Sequence, residues 1–422
     1  MHRTLGILAV LVASSCSTPA ATFEVSVPPK DGEKYKSADV RVWLPDNVKT
    51  IRALIVHQHG CGRNGIDNAD DLQWQALAIK HDAALIGSYF VPVKDCSDWF
   101  DPKNGSERAF FDALKEIAAK SKHPELTAAP WAIWGHSGGS MWACHMTIRH
   151  PARTVAVWAR SQAVIEGYPD AALQVPIVFN YGEQEKTGRF EGVHKNSVAA
   201  FEKYRPKGAL WAIAVDPKSS HDCRNSRQLA IPFFDLMLAE RLPDRDVGGT
   251  TLRPPAALAV RVDRSYLGDL TNFRVRTQSA IKEKHETYAW LPSSEFAMKW
   301  QEYCQRGDVM DTTAPPSATT ITAKVGVDGV TVEWKAVADL ESGIKLFKLR
   351  RDGFRIAEIG GEKTKGNGMG FFQFWNYGDE PEPRLPAFKY LDKGGKAGSK
   401  YEITVENHAG LHSEKSPEGV AK

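Results

Sequence analysis

The chain has 422 residues, with 54 basic against 51 acidic, a formal net charge of +3, and 42% apolar and 25% charged residues. Near-neutral charge without a long basic run gives no sign of a surface built for nucleic acid or anionic membrane, and the apolar fraction is far from that of a disordered chain. The length exceeds that of one compact core, so two or three folded units are expected.

Arg3 precedes an apolar run from Leu5 to Ala13 and small residues through Ala21. The run is shorter than the roughly 20 residues a bilayer requires, so residues 1–20 read as a secretory signal cleaved after Ala20, and the mature protein as secreted or periplasmic. A second reading makes Cys16 the acylated cysteine of a lipoprotein, although Ala13 stands where such signals prefer Leu. Export makes disulfides expected at the remaining cysteines, Cys61, Cys96, Cys144, Cys223 and Cys304. Two bridges and one spare thiol are the simplest arrangement, and no Cys-x-x-Cys spacing points to a metal.

From residue 21 to 247, short β-rich runs alternate with longer amphipathic segments, which predicts an α/β fold with a mostly parallel sheet covered by helices. Buried-strand candidates are Ala53–Val56, Ala84–Gly87, Trp131–Trp134, Val155–Trp158, Ile177–Asn180 and Leu210–Val215. Asn104 with Glu107 predicts a capping box, after which Phe110, Leu114, Ile117 and Ala118 recur on one helix face. Residues 248–312 form a connecting module with a Pro254-Pro255 break, a strand-like Ala257–Val262 and a helix-like Ser294–Gln305. It either packs on the α/β unit or forms a small strand unit of its own.

Asp311-Thr312-Thr313-Ala314-Pro315-Pro316 reads as a linker stiffened by its prolines. In residues 313–422, Gly329–Trp334 alternates with period two, and Ile344–Arg350 and Tyr401–Val405 do the same between turns such as Arg351-Asp352-Gly353. A small β-sandwich is expected. Its early Trp, the phrase Asp339-Leu340-Glu341-Ser342-Gly343-Ile344, and a Tyr401 strand followed by Asn407-His408-Ala409-Gly410 resemble a fibronectin type III domain. The long Lys363–Pro386 insert departs from that domain's pattern.

The sharpest chemical signal is Gly135-His136-Ser137-Gly138-Gly139, between the Trp131–Trp134 strand and a helix candidate at Ser140–His150. A serine on a tight strand-to-helix turn needs glycines two residues to either side, and the turn presents its Oγ above the sheet. The pattern alone is weak, and the strand before it and helix after it supply its specificity. His59-Gly60-Cys61-Gly62 follows an early strand, where the backbone N–H groups of Cys61 and Gly138 can form an oxyanion hole. A metal role for His57 and His59 lacks a carboxylate or third histidine at ligand spacing. His221 lies six residues beyond Val215, in the position of a general base, while His136, His145 and His150 read as surface or packing residues. An orienting carboxylate is sought after Ile177–Asn180, at Glu183 or Glu185.

Ser137, Glu185 and His221 in that order, with the His59-Gly60-Cys61 loop, resemble an α/β-hydrolase over residues 22–242. Cys61 with Cys96-Ser97-Asp98-Trp99-Phe100 is similar to secreted polyhydroxyalkanoate depolymerases and feruloyl or acetylxylan esterases, whereas His136 before the serine and Gly138 after it depart from them. The resemblance implies Glu185, three residues after Gly182, as the acid, and a Cys61–Cys96 bridge, leaving Cys144–Cys223 as the second. It also implies a cofactor-free serine esterase acting on a plant cell-wall or polymeric ester, with the C-terminal domain able to meet a polymer surface. Other readings are a serine peptidase of the same fold and a non-catalytic surface-binding protein on a hydrolase scaffold. Because every candidate catalytic group precedes residue 242, residues 313–422 are expected to be dispensable for turnover of a soluble ester.

Overall fold

A computed structural model describes residues 20–245, 249, 251–253, 265–282, 284–360, 377–379, 381 and 388–422. The leader with Cys16, the Ala257–Val262 strand and most of the Lys363–Pro386 insert lie outside these residues. Among those described, no helix is long and apolar enough to cross a membrane.

Eight strands form the central sheet: β1 Ala21–Val27, β2 Tyr35–Leu44, β3 Ala53–Gln58, β4 Ala83–Pro92, β5 Trp131–His136, β6 Thr154–Arg160, β7 Ile177–Gly182 and β8 Trp211–Asp216. Their order is β1-β2-β4-β3-β5-β6-β7-β8. β2 runs antiparallel to both β1 and β4, and every pairing from β4 through β3 to β8 is parallel. All six predicted strands are present. β1 and β2 had no such signal, since β1 is a half-exposed edge strand rather than a continuous apolar run.

The helices are α1 Leu72–His81, α2 Ser97–Phe100, α3 Ser106–Ser121, α4 Gly138–Arg149, α5 Asp170–Leu173, α6 Glu191–Tyr204, α7 Arg227–Arg241 and α8 Ser294–Arg306. α3, α4 and α6 bury Phe110, Trp142 and Phe201 on one face of the sheet. α1, α7 and α8 bury Trp74, Phe234 and Trp300 on the other, against Ile55, Trp134 and Trp158. The predicted capping box of α3 is displaced. Gly105 precedes the helix at φ 111° without a side-chain cap, the Asn104 carbonyl instead accepts the Lys34 N–H, and Glu107 turns to Arg149 and His150.

The connecting module does both things that were open to it. β9 Tyr266–Gly268, β10 Val275–Thr277 and β11 Ala289–Leu291 make a small antiparallel sheet in the order β10-β9-β11, and α8 packs onto the central sheet. The fully buried Trp300 donates its indole N–H to the Ile213 carbonyl at 2.8 Å. Its ring lies so close to Gly268 that a Cβ there would fall 2.6 Å away.

β12 Thr320–Gly326, β13 Gly329–Lys335 and β16 Lys389–Asp392 form one C-terminal sheet, and β14 Leu346–Arg351, β15 Phe354–Gly360, β17 Lys400–Glu406 and β18 Gly419–Val420 form the other. Val332, Trp334, Phe347, Leu349, Tyr401 and Ile403 fill the space between them, as period-two alternation requires. The proline-bearing linker is pinned rather than free: Asn407 Nδ2 donates to Asp311 and to Asp339, each at 2.8 Å, and to the Thr313 carbonyl at 3.2 Å.

The sandwich also grips the α/β unit. Arg227, at the start of α7, is buried between Asp71 at 2.8 Å and Asp379 at 2.7 Å, the latter from the C-terminal insert. Gln73 donates to the Leu340 carbonyl at 3.0 Å, and Lys299 pairs with Glu341.

Replacing Trp300 by Ala should cost about 3–5 kcal/mol, since a large aromatic is removed from a packed interface and the Ile213 carbonyl loses its donor. Urea unfolding followed by far-ultraviolet circular dichroism measures this, and a loss under about 1 kcal/mol is incompatible with the packing of α8 on β8.

Candidate active site

At the carboxyl end of β5 the backbone reverses into α4 through Ser137, held at φ 55° and ψ −118°. A non-glycine residue at positive φ stores strain, and here neighbouring backbone enforces it. A Cβ on Gly139 would lie 1.9 Å from the Gln58 carbonyl, and one on Gly135 would lie 2.5 Å from the Gly139 carbonyl. Both flanking glycines are thus required by close backbone crossing.

Ser137 Oγ lies 3.0 Å from His221 Nε2, and His221 Nδ1 lies 2.5 Å from Glu185 Oε1. With the proton assigned to Nδ1, the imidazole donates to Glu185 and its Nε2 accepts from the serine hydroxyl. Glu185 is completely buried, and its second oxygen accepts from Ser161 Oγ and from the Gly182 N–H, both at 2.9 Å. Glu183 is exposed and pairs with Lys186 at 2.8 Å. Geometry therefore separates the two candidate acids: Glu185 meets the imidazole and Glu183 meets solvent.

The loop that carries His221 is fixed from beneath. The buried Arg160, at the end of β6, donates to Ser219 Oγ and the Ser220 carbonyl, both at 2.9 Å, and to the Asp222 carbonyl. His136 donates from Nε2 to the His221 carbonyl at 2.7 Å. Complete burial, with the His221 ring next in importance, holds the His136 pKa well below its ordinary value, so its ring stays neutral. Its place is therefore under the His221 loop, and the surface or packing role expected of it is too weak a description. His150 lies at the end of α4 against Glu107 and Trp131, and His145 stacks on Phe100.

The His59–Gly62 loop reaches the same point. A Cβ on Gly60 would come within 2.8 Å of the Ser137 Cβ, so the loop passes directly beside the serine. The Cys61–Cys96 disulfide is present, with the Cα atoms 5.2 Å apart. Its sulfurs lie 3.2 and 3.4 Å from where a Gly138 Cβ would stand, so the bridge packs directly against the residue after the serine. Gly138 opens α4, so its N–H has no partner one turn earlier in the helix. His59 donates from Nε2 to the buried Asn68 Oδ1 at 2.7 Å, and burial drives its pKa down to about 3. His57 is sealed between Trp74 and Trp134 with burial lowering its pKa, so it belongs to the core.

Cys144 and Cys223 do not form the expected second bridge. Both are buried and outside any disulfide, as is Cys304. Cys144 belongs to the core on the α4 side of the sheet and Cys223 to the core on the α7 side, so the sheet stands between them. The direction in which α4 presents its side chains puts Cys144 on the face away from Cys223.

Besides His136, whose ring lies 5.1 Å away, two aromatic rings flank His221. Phe190 stacks on the imidazole at 4.1 Å and 1°, and Tyr377, from the C-terminal insert, lies 6.2 Å from it. Neither ring, nor Arg160 or Ser161, stood out in the sequence. Arg160 had a usable signal, since a buried parallel strand ending on an arginine marks the carboxyl edge of the sheet, where such folds build their sites.

No family model matches the chain, and no curated protein matches it either. Solved structures to which it is similar include a ferulic acid esterase, with 15% identity, TM-score 0.40, and coverage of 53% of this chain and 98% of the other. Another is LpqC, a poly(3-hydroxybutyrate) depolymerase from Bordetella parapertussis, with 16% identity, TM-score 0.38, and coverage of 54% and 92%. A third is the fluorophosphonate-binding serine hydrolase FphF from Staphylococcus aureus, with 12% identity, TM-score 0.36, and coverage of 52% and 99%.

If a substrate is turned over here, Glu185→Gln should lower kcat by about 10²- to 10⁴-fold with little change in KM, because the amide stabilises the wrong imidazole tautomer. Glu183→Gln should change kcat by less than about threefold. Steady-state kinetics of the two variants side by side measures the difference, and the reverse order rules out Glu185.

Proposed function

We propose that the chain is a serine hydrolase of the α/β-hydrolase type that cleaves carboxylic esters through an acyl-enzyme on Ser137. The observation that carries this reading is the unbroken hydrogen-bonded line from Ser137 Oγ through His221 to the buried Glu185, at a strained turn above the carboxyl ends of parallel strands.

In the first half-reaction His221 Nε2 takes the hydroxyl proton as Ser137 Oγ adds to the acyl carbon. The N–H groups of Cys61 and Gly138 receive the developing oxyanion, each worth about 10²- to 10³-fold in rate. The tetrahedral intermediate collapses with loss of the alcohol, whose oxygen takes the proton from Nε2. Water, deprotonated by the same nitrogen, then attacks the acyl carbon, and the acid leaves as Ser137 regains its proton. Glu185 keeps its charge throughout and stabilises the imidazolium. No step calls for a cofactor.

The His59-Gly60-Cys61 loop, its bridge to Cys96 and the Trp99-Phe100 pair that follows support an ester of a plant cell-wall polysaccharide or a polyester as the substrate. The division of the C-terminal strands into sheets of three and four supports its reading as a fibronectin type III domain able to meet a polymer surface. The disulfide fits a secreted or periplasmic protein.

Ser137→Ala should lower hydrolysis of p-nitrophenyl acetate by a factor of about 10³ or more without loss of folding, because only one half-buried hydroxyl is removed and no core cavity opens. Turnover retained by the folded variant rejects the nucleophile. A parallel screen of short acyl esters, feruloylated sugars, hydroxybutyrate oligomers and peptide amides identifies the substrate, and amide cleavage that outpaces every ester assigns a peptidase instead.

A further inference from the structure

The C-terminal region does not stay clear of the site. Tyr377 and Asp379 come from the insert between β15 and β16, yet both lie among residues that hold the two catalytic loops. The Tyr377 carbonyl accepts the Cys223 N–H at 2.9 Å, two residues beyond His221. Its ring lies 5.6 Å from the His136 ring, edge to face, and 6.2 Å from His221, and the Arg63 guanidinium stacks on it at 5.3 Å. Tyr377 is 39% exposed, so its ring is both a neighbour of the imidazole and part of the solvent-facing surface beside it.

Asp379 reaches the opposite loop. Its carbonyl accepts Asn68 Nδ2–H at 3.1 Å, and Asn68 Oδ1 in turn accepts from His59, the first residue of the His59–Gly62 loop. Its carboxylate meets Arg227 at 2.7 Å and the Trp74 indole N–H at 3.4 Å. Asp379 is fully buried and held at φ 64°, a left-handed conformation that Asp tolerates better than most residues. Arg227 is the fixed post to which this segment is tied. A buried guanidinium is stable only with its carboxylates, so the tie is strong in position even where its net contribution to stability is small.

We propose that Tyr377 and Asp379 are positioning residues of the active site, bracing the His221 loop and the oxyanion loop against each other, so that the C-terminal domain is an integral part of the hydrolase. The proposal rests on the Ser137–His221–Glu185 reading, and it replaces the expectation that residues 313–422 are dispensable. A brace of this kind acts on the chemical step, since loop displacements of about 1 Å can cost about 10²-fold in rate.

The test uses the full chain with p-nitrophenyl acetate, and kcat is taken per active site titrated by the acylation burst. Asp379→Ala and Tyr377→Ala should each lower kcat by about tenfold or more with KM changed less than about threefold, while Tyr377→Phe, which keeps the ring and the backbone carbonyl, should restore kcat to within about twofold. Lys299→Ala breaks the pair with Glu341 at the same domain interface and serves as the control: it should lower Tm and leave kcat unchanged. Tyr377 is half-exposed, so its truncation opens no core cavity and keeps the test available even if Asp379→Ala does not fold. The inference is overturned if the folded variants keep kcat within about twofold of the parent, or if Lys299→Ala lowers kcat as much as they do. Failure of the underlying site reading looks different, because Ser137→Ala would then remain active.

Discussion

Arg160 carries a full charge in a place water does not reach, and protein groups take over the hydrogen bonds that its two Nη nitrogens would make to solvent. The replacements are Asn180 on β7 and three groups of the His221 loop. Burial disfavours the charged form, and the surrounding groups more than compensate, leaving its pKa raised. The same contacts that meet the guanidinium specify where the loop runs. A loop of serines and aspartates without a core of its own thereby acquires a single conformation, with the imidazole edge aimed at Ser137. The path of the His221 loop depends on this one buried cation.

A second buried cation does comparable work across the molecule. Arg227 brings together Asp71, which caps α1 through the Gln73 and Trp74 N–H groups, and Asp379 from the far end of the chain. Neutral residues of similar shape could hold the surfaces together as well or better, since desolvating three charges is costly. What an ionic contact adds is register: only one docking of the sandwich satisfies all three groups. That distinction matters where the docked segment also touches the His221 loop.

Much of this was legible in the sequence where a single local rule dominates. The six parallel strands are apolar runs because both of their faces are covered, and the Ser137 turn is readable because backbone crossing forbids side chains at 135 and 139. Glu185 rather than Glu183 was what the resemblance implied, and the short turn lets residue 185 fold back to bond the Gly182 N–H. The bridge from Cys61 to Cys96 could be inferred by likeness, whereas Cys144 with Cys223 failed because sequence separation does not tell on which face of a sheet a thiol lies. His136, Arg160, Tyr377 and Asp379 act through contacts made by distant segments. No window of sequence around any of them contains its partner, and for Tyr377 even the domain of origin misleads.

Chain order turns the Arg227–Asp379 contact into a matter of timing. Asp379 lies 152 residues beyond Arg227, so during synthesis the sheet, the serine turn and the histidine loop can all assemble while the segment that steadies them has yet to emerge. A partly made chain would hold the reactive groups without the geometry that makes them effective. Full competence would arrive late, with the docking of the last domain, and a chain that stopped short of it would be a slower enzyme.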